Sequence, residues 1–338
     1  MSVEHVLSAE QYTRDQIDEI CDRAELFRQV YDANGSQPSS LTDVYTNMSC
    51  VTLFGESSTR TRISSANAAA ILGMNVVHMA ADESAMVKGE SPKTTAMTLA
   101  AVGAHLLVVR MPFEGIAAQI AEGSKIPIVN AGDGANEHPT QMFLDIATAK
   151  RRLGDLTGSR WVMFGDVGHS RTLNSLVIAL KQYDAHATFV APEGMEPSER
   201  TLHYLEKHQV SWDLQTNLEE AVIGANALYG IRSQKERHGG QKLGAPIILD
   251  QHILDKVPAD AIIMHPGPHN IEIAPEVYDD PRAVFAEEQP RNGLHVRTAL
   301  FDKLLGSRAF NAIMESEFAQ PAVTDLVSAV CRHAGVDN

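Results

Sequence analysis

Residues 54–62 read FGESSTRTR, which places Ser57, Ser58, Thr59, Arg60, Thr61 and Arg62 in consecutive positions. If a helix starts inside this stretch, the N–H groups of its first turn have no intrahelical partner and point outward. Hydroxyl and guanidinium donors beside them make an anion pocket. A solvated, capped loop would use the same residue types, so the rest of the chain must decide. Arginines also end or follow other apolar runs: Arg110 closes HLLVVR, Arg171 follows RWVMFGD and Arg232 follows NALYGI. In AGDGANEHPTQ, Pro139 suits the first position of a helix, which puts His138 at its cap and Gln141 one turn on. A helix N-terminus favours the neutral imidazole, which can still donate one hydrogen bond to a polarised carbonyl oxygen. The hydroxyl-rich helix start suits a phosphate dianion beside a carbonyl. Arg171 and Arg232 suit carboxylates through bidentate guanidinium contacts. Such a division points to group transfer between two anions.

The elements that must position these residues are short β-branched runs alternating with helical stretches. Strands are expected at 49–54, 74–79, 105–110 and 126–130, and again at 160–166, 186–191, 226–231 and 260–265. Helical patterns fall at 58–72, 92–102, 138–153, 170–182 and 197–207. Alternation at this spacing predicts an α/β chain of two doubly wound domains, each with a central, mostly parallel sheet flanked by helices. The loop-like cluster RRLGDLTGSR (151–160) divides the strands four and four, giving domains at 1–150 and 151–291. The strand-free stretch 292–338 is expected to be helical and to pack back on the first domain. In open parallel sheets ligands bind beyond the carboxyl ends of the strands, where the arginines, the hydroxyl cluster and His138 all fall.

Composition narrows the functions open to this architecture. The 338 residues carry a formal net charge of -15, with 44% hydrophobic and 21% charged residues. That excludes wholesale disorder and makes a phosphate backbone an unfavourable partner, so nucleic acid is not expected. No apolar run approaches the ~20 residues of a membrane span. MSVEHVLSAEQYTRDQ reads as neither a signal nor a transit peptide. Cys21, Cys50 and Cys331 lie far apart without CxxC spacing, which fits packing roles in a reducing cytoplasm. Trp161 and Trp212 read as core or half-buried sheet positions, and His265 as either a capping or a site-lining residue.

The motifs together resemble the aspartate and ornithine carbamoyltransferases. FGESSTRTR is similar to that family's carbamoyl-phosphate signature, and NAGDGANEHPTQMFLD to the aspartate-enzyme form of its H-P-x-Q motif. GDVGHSRTLNSL, LYGIRSQKER and HPGPHNIEI extend the likeness in order, from about residue 50 to 300, and AMVKGES resembles a loop that reaches a neighbouring subunit's site. The H-C-L-P and D-x-W-x-S-M-G stretches of ornithine enzymes are missing, and RSQKER at 232–237 favours aspartate.

The resemblance implies that Ser58, Thr59, Arg60 and Thr61 hold the phosphate of carbamoyl phosphate. It implies that Arg110, His138 and Thr61 contact the carbonyl oxygen and that Gln141 takes the carbamoyl amine. Ser84 and Lys88 would complete the site from an adjacent chain of a homotrimer. Arg171, Arg232 and Gln234 would grip L-aspartate, with Pro268 lining the site. Transfer of the carbamoyl group to aspartate, an early step of pyrimidine synthesis, would need no metal or organic cofactor. The other readings are a related transferase with a different amine acceptor and a non-catalytic assembly subunit. The chain departs from the family pattern at Gly55 and Ser57, where a bulky residue and proline are usual. It departs again in SSANAAAILG, at Met111 in place of histidine, and in HPGPHNIEI, two residues short of the bacterial form.

Overall fold

The computed structural model describes residues 3–33, 35, 43–234, 238 and 243–315. Within them the chain divides into two compact units, the residues up to Ala147 together with those from Arg291 onward, and Thr148–Pro290. The division falls inside a continuous helix, α5 (Pro139–Leu153), rather than at the glycine-containing loop that follows it.

The first unit opens with α1 (Arg14–Ala33), a helix that the sequence reading did not place. Its sheet has β1 (Ser49–Phe54), β2 (Asn75–Ala80), β3 (Leu106–Met111) and β4 (Ile128–Asp133) in the order β2-β1-β3-β4. All the pairings are parallel. The helices α2 (Arg60–Ile71), α3 (Pro92–Ala101) and α4 (Ile116–Ala121) connect them. Leu53, Leu107, Val109, Ile120 and Ile128 form the core on one side of the sheet. β4 carries the AGD of AGDG within the strand and turns only at Gly134 (φ 56°), so the expected turn begins later than the residue types suggest.

The second unit has β5 (Arg160–Gly165), β6 (His186–Val190), β7 (Ser211–Gln215), β8 (Ala227–Ile231) and β9 (Ile262–Met264) in the order β7-β6-β5-β8-β9, again all parallel. Among the described residues this corrects the expected four strands to five. SWDLQ was missed because an edge strand with half-exposed and exposed positions offers no apolar run to find. The helices α6 (Arg171–Lys181), α7 (Glu199–Lys207), α8 (Leu218–Ala221) and α9 (Gln251–Leu254) accompany this sheet. Trp161 is fully buried on β5, and Trp212 is half-buried on β7.

The chain closes with α10 (Glu288–Leu304) and α11 (Arg308–Glu315), grouped from Arg291 onward with the first unit. Asp302 anchors the pair. Its carboxylate accepts from the Tyr45 hydroxyl at 2.7 Å and from the Ala309 and Phe310 amides at 2.8 and 3.1 Å, satisfying donors at the start of α11. Cys331 and the expected helical stretch beyond Glu315 lie outside the described residues. Cys21 and Cys50 are buried, and burial pushes the Cys50 thiol up to about 12. Among the described residues no helix is long and apolar enough to cross a membrane.

Candidate active site

Strand order explains why distant motifs of the first unit share one edge. β1, β3 and β4 are successive neighbours in a parallel sheet, so their carboxyl ends lie side by side. β1 runs on into GESSTRTR, β3 ends at Arg110–Met111, and β4 leads to His138. Phe54 pairs in register with Arg110, and the Gly55 amide donates to the Arg110 carbonyl at 2.8 Å. The connection reverses direction between β1 and β3, which is where open α/β sheets bind ligands.

The helix expected to open at Ser57 or Ser58 opens at Arg60, with Thr59 as its cap. Thr59 makes no side-chain capping bond, leaving the first-turn donors of α2 directed outward. Partial burial lowers the Arg60 guanidinium from its ordinary value. Thr61 is buried and its Oγ1 lies 3.5 Å from His138 Nε2, long for a hydrogen bond but close enough for both to address one atom. Arg110 donates through Nη1 to the Ala131 carbonyl at 3.3 Å, and its Nε lies 3.3 Å from Glu56 Oε2.

The segment before His138 is held by two buried carboxylates that the sequence reading overlooked. Asp133 accepts from Asn130 Nδ2, the Gly115 amide and the Glu137 amide at 2.9, 2.8 and 3.2 Å. Glu137 accepts from Ser8 Oγ and the Ala9 amide at 2.5 and 2.8 Å. Beyond it, Thr140 Oγ1 sits 3.3 Å from His138 Nδ1 and accepts from Arg297 Nη2 at 3.3 Å. Gln141 donates through Nε2 to Asp145 Oδ1 at 2.9 Å. A carboxylate only accepts, so this bond orients the amide and presents Gln141 Oε1 as an acceptor elsewhere. Arg297, on α10, is fully enclosed; burial lowers its pKa to about 10, and the Asp145 charge opposes that shift. The buried Arg297 thus supports both His138, through Thr140, and Gln141, through Asp145.

Ser84 and Lys88 do not join this group within the chain. Ser84 is buried with its hydroxyl on the Ala81 carbonyl at 2.7 Å, and Lys88 is exposed at the end of the 3-10 turn Ala85–Lys88. Among the described residues neither hydrogen-bonds to Ser58–Thr61.

In the second unit, β5, β8 and β9 are neighbours, and the direction reverses between β5 and β8. Their carboxyl ends carry Arg171 at the start of α6, Arg232 and Gln234 after β8, and Pro268 after β9. Arg171 is buried; Arg232 donates through Nη1 to the Ser233 carbonyl at 3.0 Å. The Gln234 amide donates to Asp166 Oδ2 at 2.7 Å, tying the segment after β8 to the end of β5. That approach depends on Gly165 (φ 107°), where a Cβ would meet the Ile231 carbonyl oxygen at 2.0 Å. Asp166 Oδ2 also lies 2.7 Å from His238 Nε2, and Asp166 Oδ1 lies 3.3 Å from His169 Nδ1. Neither histidine nor Asp166 stood out in the sequence. The aspartate and His169 sit within a loop motif, and His238 is 69 positions from His169.

After β9, a cis bond joins Gly267 to Pro268. His265 is buried with both nitrogens engaged: Nδ1 accepts from the Gly267 amide at 2.8 Å, and Nε2 faces Glu272 Oε1 at 2.9 Å. Burial would raise the Glu272 carboxyl, but the hydrogen bond from His265 leads the contributions that hold it below the ordinary carboxylate value. The open reading of His265 therefore resolves to a structural role, shaping the turn that presents Pro268.

Known proteins resemble this chain in sequence and fold. Residues 4–151 match the model of the aspartate/ornithine carbamoyltransferase carbamoyl-P binding domain, and residues 157–304 that of the Asp/Orn binding domain. The chain is 38% identical over 273 residues to the aspartate carbamoyltransferase catalytic subunit of Saccharopolyspora erythraea, covering 78% of this chain and 86% of that one. It is 36% identical to that of Halorubrum lacusprofundi, covering 90% and 96%. Aspartate transcarbamoylase from Trypanosoma cruzi in complex with carbamoyl phosphate superposes with a TM-score of 0.79 at 29% identity, over 89% of this chain and 95% of that one. The catalytic subunit of M. jannaschii aspartate transcarbamoylase gives a TM-score of 0.77 at 32% identity, over 91% of this chain and 99% of that one.

Proposed function

The chain belongs to the aspartate/ornithine carbamoyltransferase family, and from that premise we propose how its own residues carry the reaction. It transfers the carbamoyl group of carbamoyl phosphate to the amine of L-aspartate, giving N-carbamoyl-L-aspartate and phosphate. The product feeds pyrimidine synthesis, and the reaction runs in the cytoplasm.

Ser58, Thr59, Arg60 and the first turn of α2 hold the phosphate. Arg110, His138 and Thr61 donate to the carbonyl oxygen, and Gln141 Oε1 accepts from the carbamoyl amine. Arg171 and Arg232 hold the acceptor's carboxylates, with Gln234 and Pro268 beside them. The neutral amine attacks the carbamoyl carbon, so negative charge grows on the carbonyl oxygen where these donors converge. As the C–O bond to phosphate breaks, the leaving dianion stays among cationic donors, and one of its oxygens can accept the amine proton. Positioning two anions that otherwise repel supplies most of the acceleration.

The observation that carries this reading is the convergence of Thr61 and His138 at 3.5 Å, beside a Gln141 whose amide orientation is set by Asp145. A test incubates the full chain with carbamoyl phosphate and a panel of amines, following phosphate and the carbamoylated product together. Aspartate should give stoichiometric N-carbamoyl-L-aspartate. Turnover with another amine and none with aspartate would refute the acceptor.

Ser84 and Lys88 act in the site of a neighbouring chain, which makes the working unit a homotrimer. Supporting this, apolar side chains stand exposed in the first unit at Ile63, Val87, Met97, Val102 and, on the edge strand β2, Val77.

A further inference from the structure

Asp166, His169 and His238 each offer a ligand atom, and the three atoms lie within 4.8 Å of one another. They come from different stretches of chain: Asp166 and His169 from the loop after β5, and His238 from beyond β8. The Asp166 and His238 side chains are 0% and 1% exposed, whereas His169 is 35% exposed and gives the cluster a solvent-facing side. The two imidazole rings stand edge to face with centroids 4.0 Å apart. Two histidines packed against each other and against one buried carboxylate are more than a hydrogen bond between β5 and β8 requires. The Gln234 amide already supplies that tie at 2.7 Å.

We propose that Asp166, His169 and His238 form a binding site for a divalent transition-metal ion of the zinc type. Two nitrogens and one carboxylate oxygen suit zinc and its first-row neighbours, whereas magnesium and calcium favour all-oxygen sets. A tetrahedral zinc with ligands at about 2.0–2.2 Å holds its donor atoms roughly 3.4 Å from each other. His238 and His169 meet different oxygens of Asp166, Oδ2 at 2.7 Å and Oδ1 at 3.3 Å, and the three ligand atoms lie within 4.8 Å of one another, so side-chain rotation on the order of an ångström brings them to that spacing. The ion would take the Nε2 lone pair of His238 with the ring's single proton on Nδ1, so the His238–Asp166 hydrogen bond gives way to coordination with no net loss of a proton from a neutral imidazole. Three protein ligands leave a fourth position for water.

Occupancy would clamp the segment that carries Arg232 and Gln234 to the end of β5 through Asp166. The ion thereby holds the acceptor-binding residues in place and takes no part in the chemical step. That consequence rests on the proposed function; the binding of the ion does not.

The test uses the full chain, stripped with a chelator and dialysed, then titrated with zinc against a chromophoric competitor. One zinc per chain is expected, bound at least about tenfold more weakly by His238→Gln and by His169→Asn, a loss on the scale that even outer-shell partners cause. Substitution with cobalt(II) should give visible bands of a nitrogen- and oxygen-ligated ion, absent in both variants. Circular dichroism establishes that the variants fold. If His238→Gln does not, the wild-type stoichiometry and the cobalt spectrum decide alone. Failure of the wild-type chain to take up zinc, or uptake and spectrum unchanged in a folded His169→Asn protein, would overturn the site. Either result leaves the carbamoyl-transfer assay, run on untreated protein, unaffected.

Discussion

A Cβ on Gly55 would meet the Met111 sulfur at 2.8 Å and the Ala81 Cβ at 3.0 Å. The two positions, separate in the sequence and both departures from the pattern that the resemblance implies, are therefore in packing contact here. Met111 occupies space that a side chain at 55 would need. Gly55→Phe alone should cost about 1–3 kcal/mol from overpacking, and Met111→Ala should recover part of it. Melting each single variant and the double gives the coupling. Penalties that simply add within about 0.5 kcal/mol would mean the positions are independent. His295 supplies a residue-scale pH effect. Burial leads the causes that lower it from 6.5 to about 4. It therefore folds neutral, while the unfolded chain binds a proton at higher pH. The stability it contributes is present above pH 6.5 and is lost as pH falls toward about 4, amounting to about 3 kcal/mol at ~1.4 kcal/mol per unit. His295→Asn should flatten the fall in melting temperature over that range; an unchanged acid slope would assign the effect to other groups.

Among the elements, α10 reaches furthest from its place in the sequence. Arg297 on this helix donates to the Gly293 carbonyl at 2.8 Å and to Thr140 Oγ1 at 3.3 Å, and its charge lies beside Asp145. Arg297→Met removes a buried cation next to a buried carboxylate, which should cost on the order of 3 kcal/mol of stability. It should also lower kcat, because His138 and Gln141 lose the side chains behind them. Arg297→Lys should restore more stability than kcat, because a lysine keeps the charge without the guanidinium fork. Equal recovery of both would argue that Arg297 acts on stability alone. Elements with unbroken apolar runs, such as β1, β3, β5 and β8, were legible in the sequence to within a residue or two. Edge strand β7, with Asp213 at its centre, was not, because its faces are only partly covered. Arginines, hydroxyls and His138 were visible because charge and polarity at strand ends are conspicuous. Asp133, Glu137, Asp145 and Arg297 were not, because a buried carboxylate or guanidinium reads as surface until its partners are known. The Asp166, His169 and His238 cluster needed β5 and β8 to be neighbours, a fact that no local window contains.

For the molecule as a whole, the question is how many chains build one site. Each unit presents its candidate residues at the reversal point of its own sheet, and the proposed function assigns the phosphorylated carbamate to the first and the dicarboxylate to the second. Under the proposed function Ser84 and Lys88 serve the site of a neighbouring chain. Mixed trimers of Lys88→Ala and Arg60→Ala chains should regain activity that neither variant has alone, since some sites draw an intact residue from each parent. No complementation after refolding the mixture would place Lys88 outside the site.

The most direct measurement compares steady-state kinetics of Arg60→Ala and Arg232→Ala across both substrates. Loss of Arg60 should reduce kcat by at least about 100-fold, the scale of removing one preorganised donor. Loss of Arg232 should raise the KM for aspartate while carbamoyl phosphate binding stays as in the parent protein. A kcat near the parent value in folded Arg60→Ala, or an unchanged KM for aspartate in Arg232→Ala, would contradict the division of the two anions between these residues.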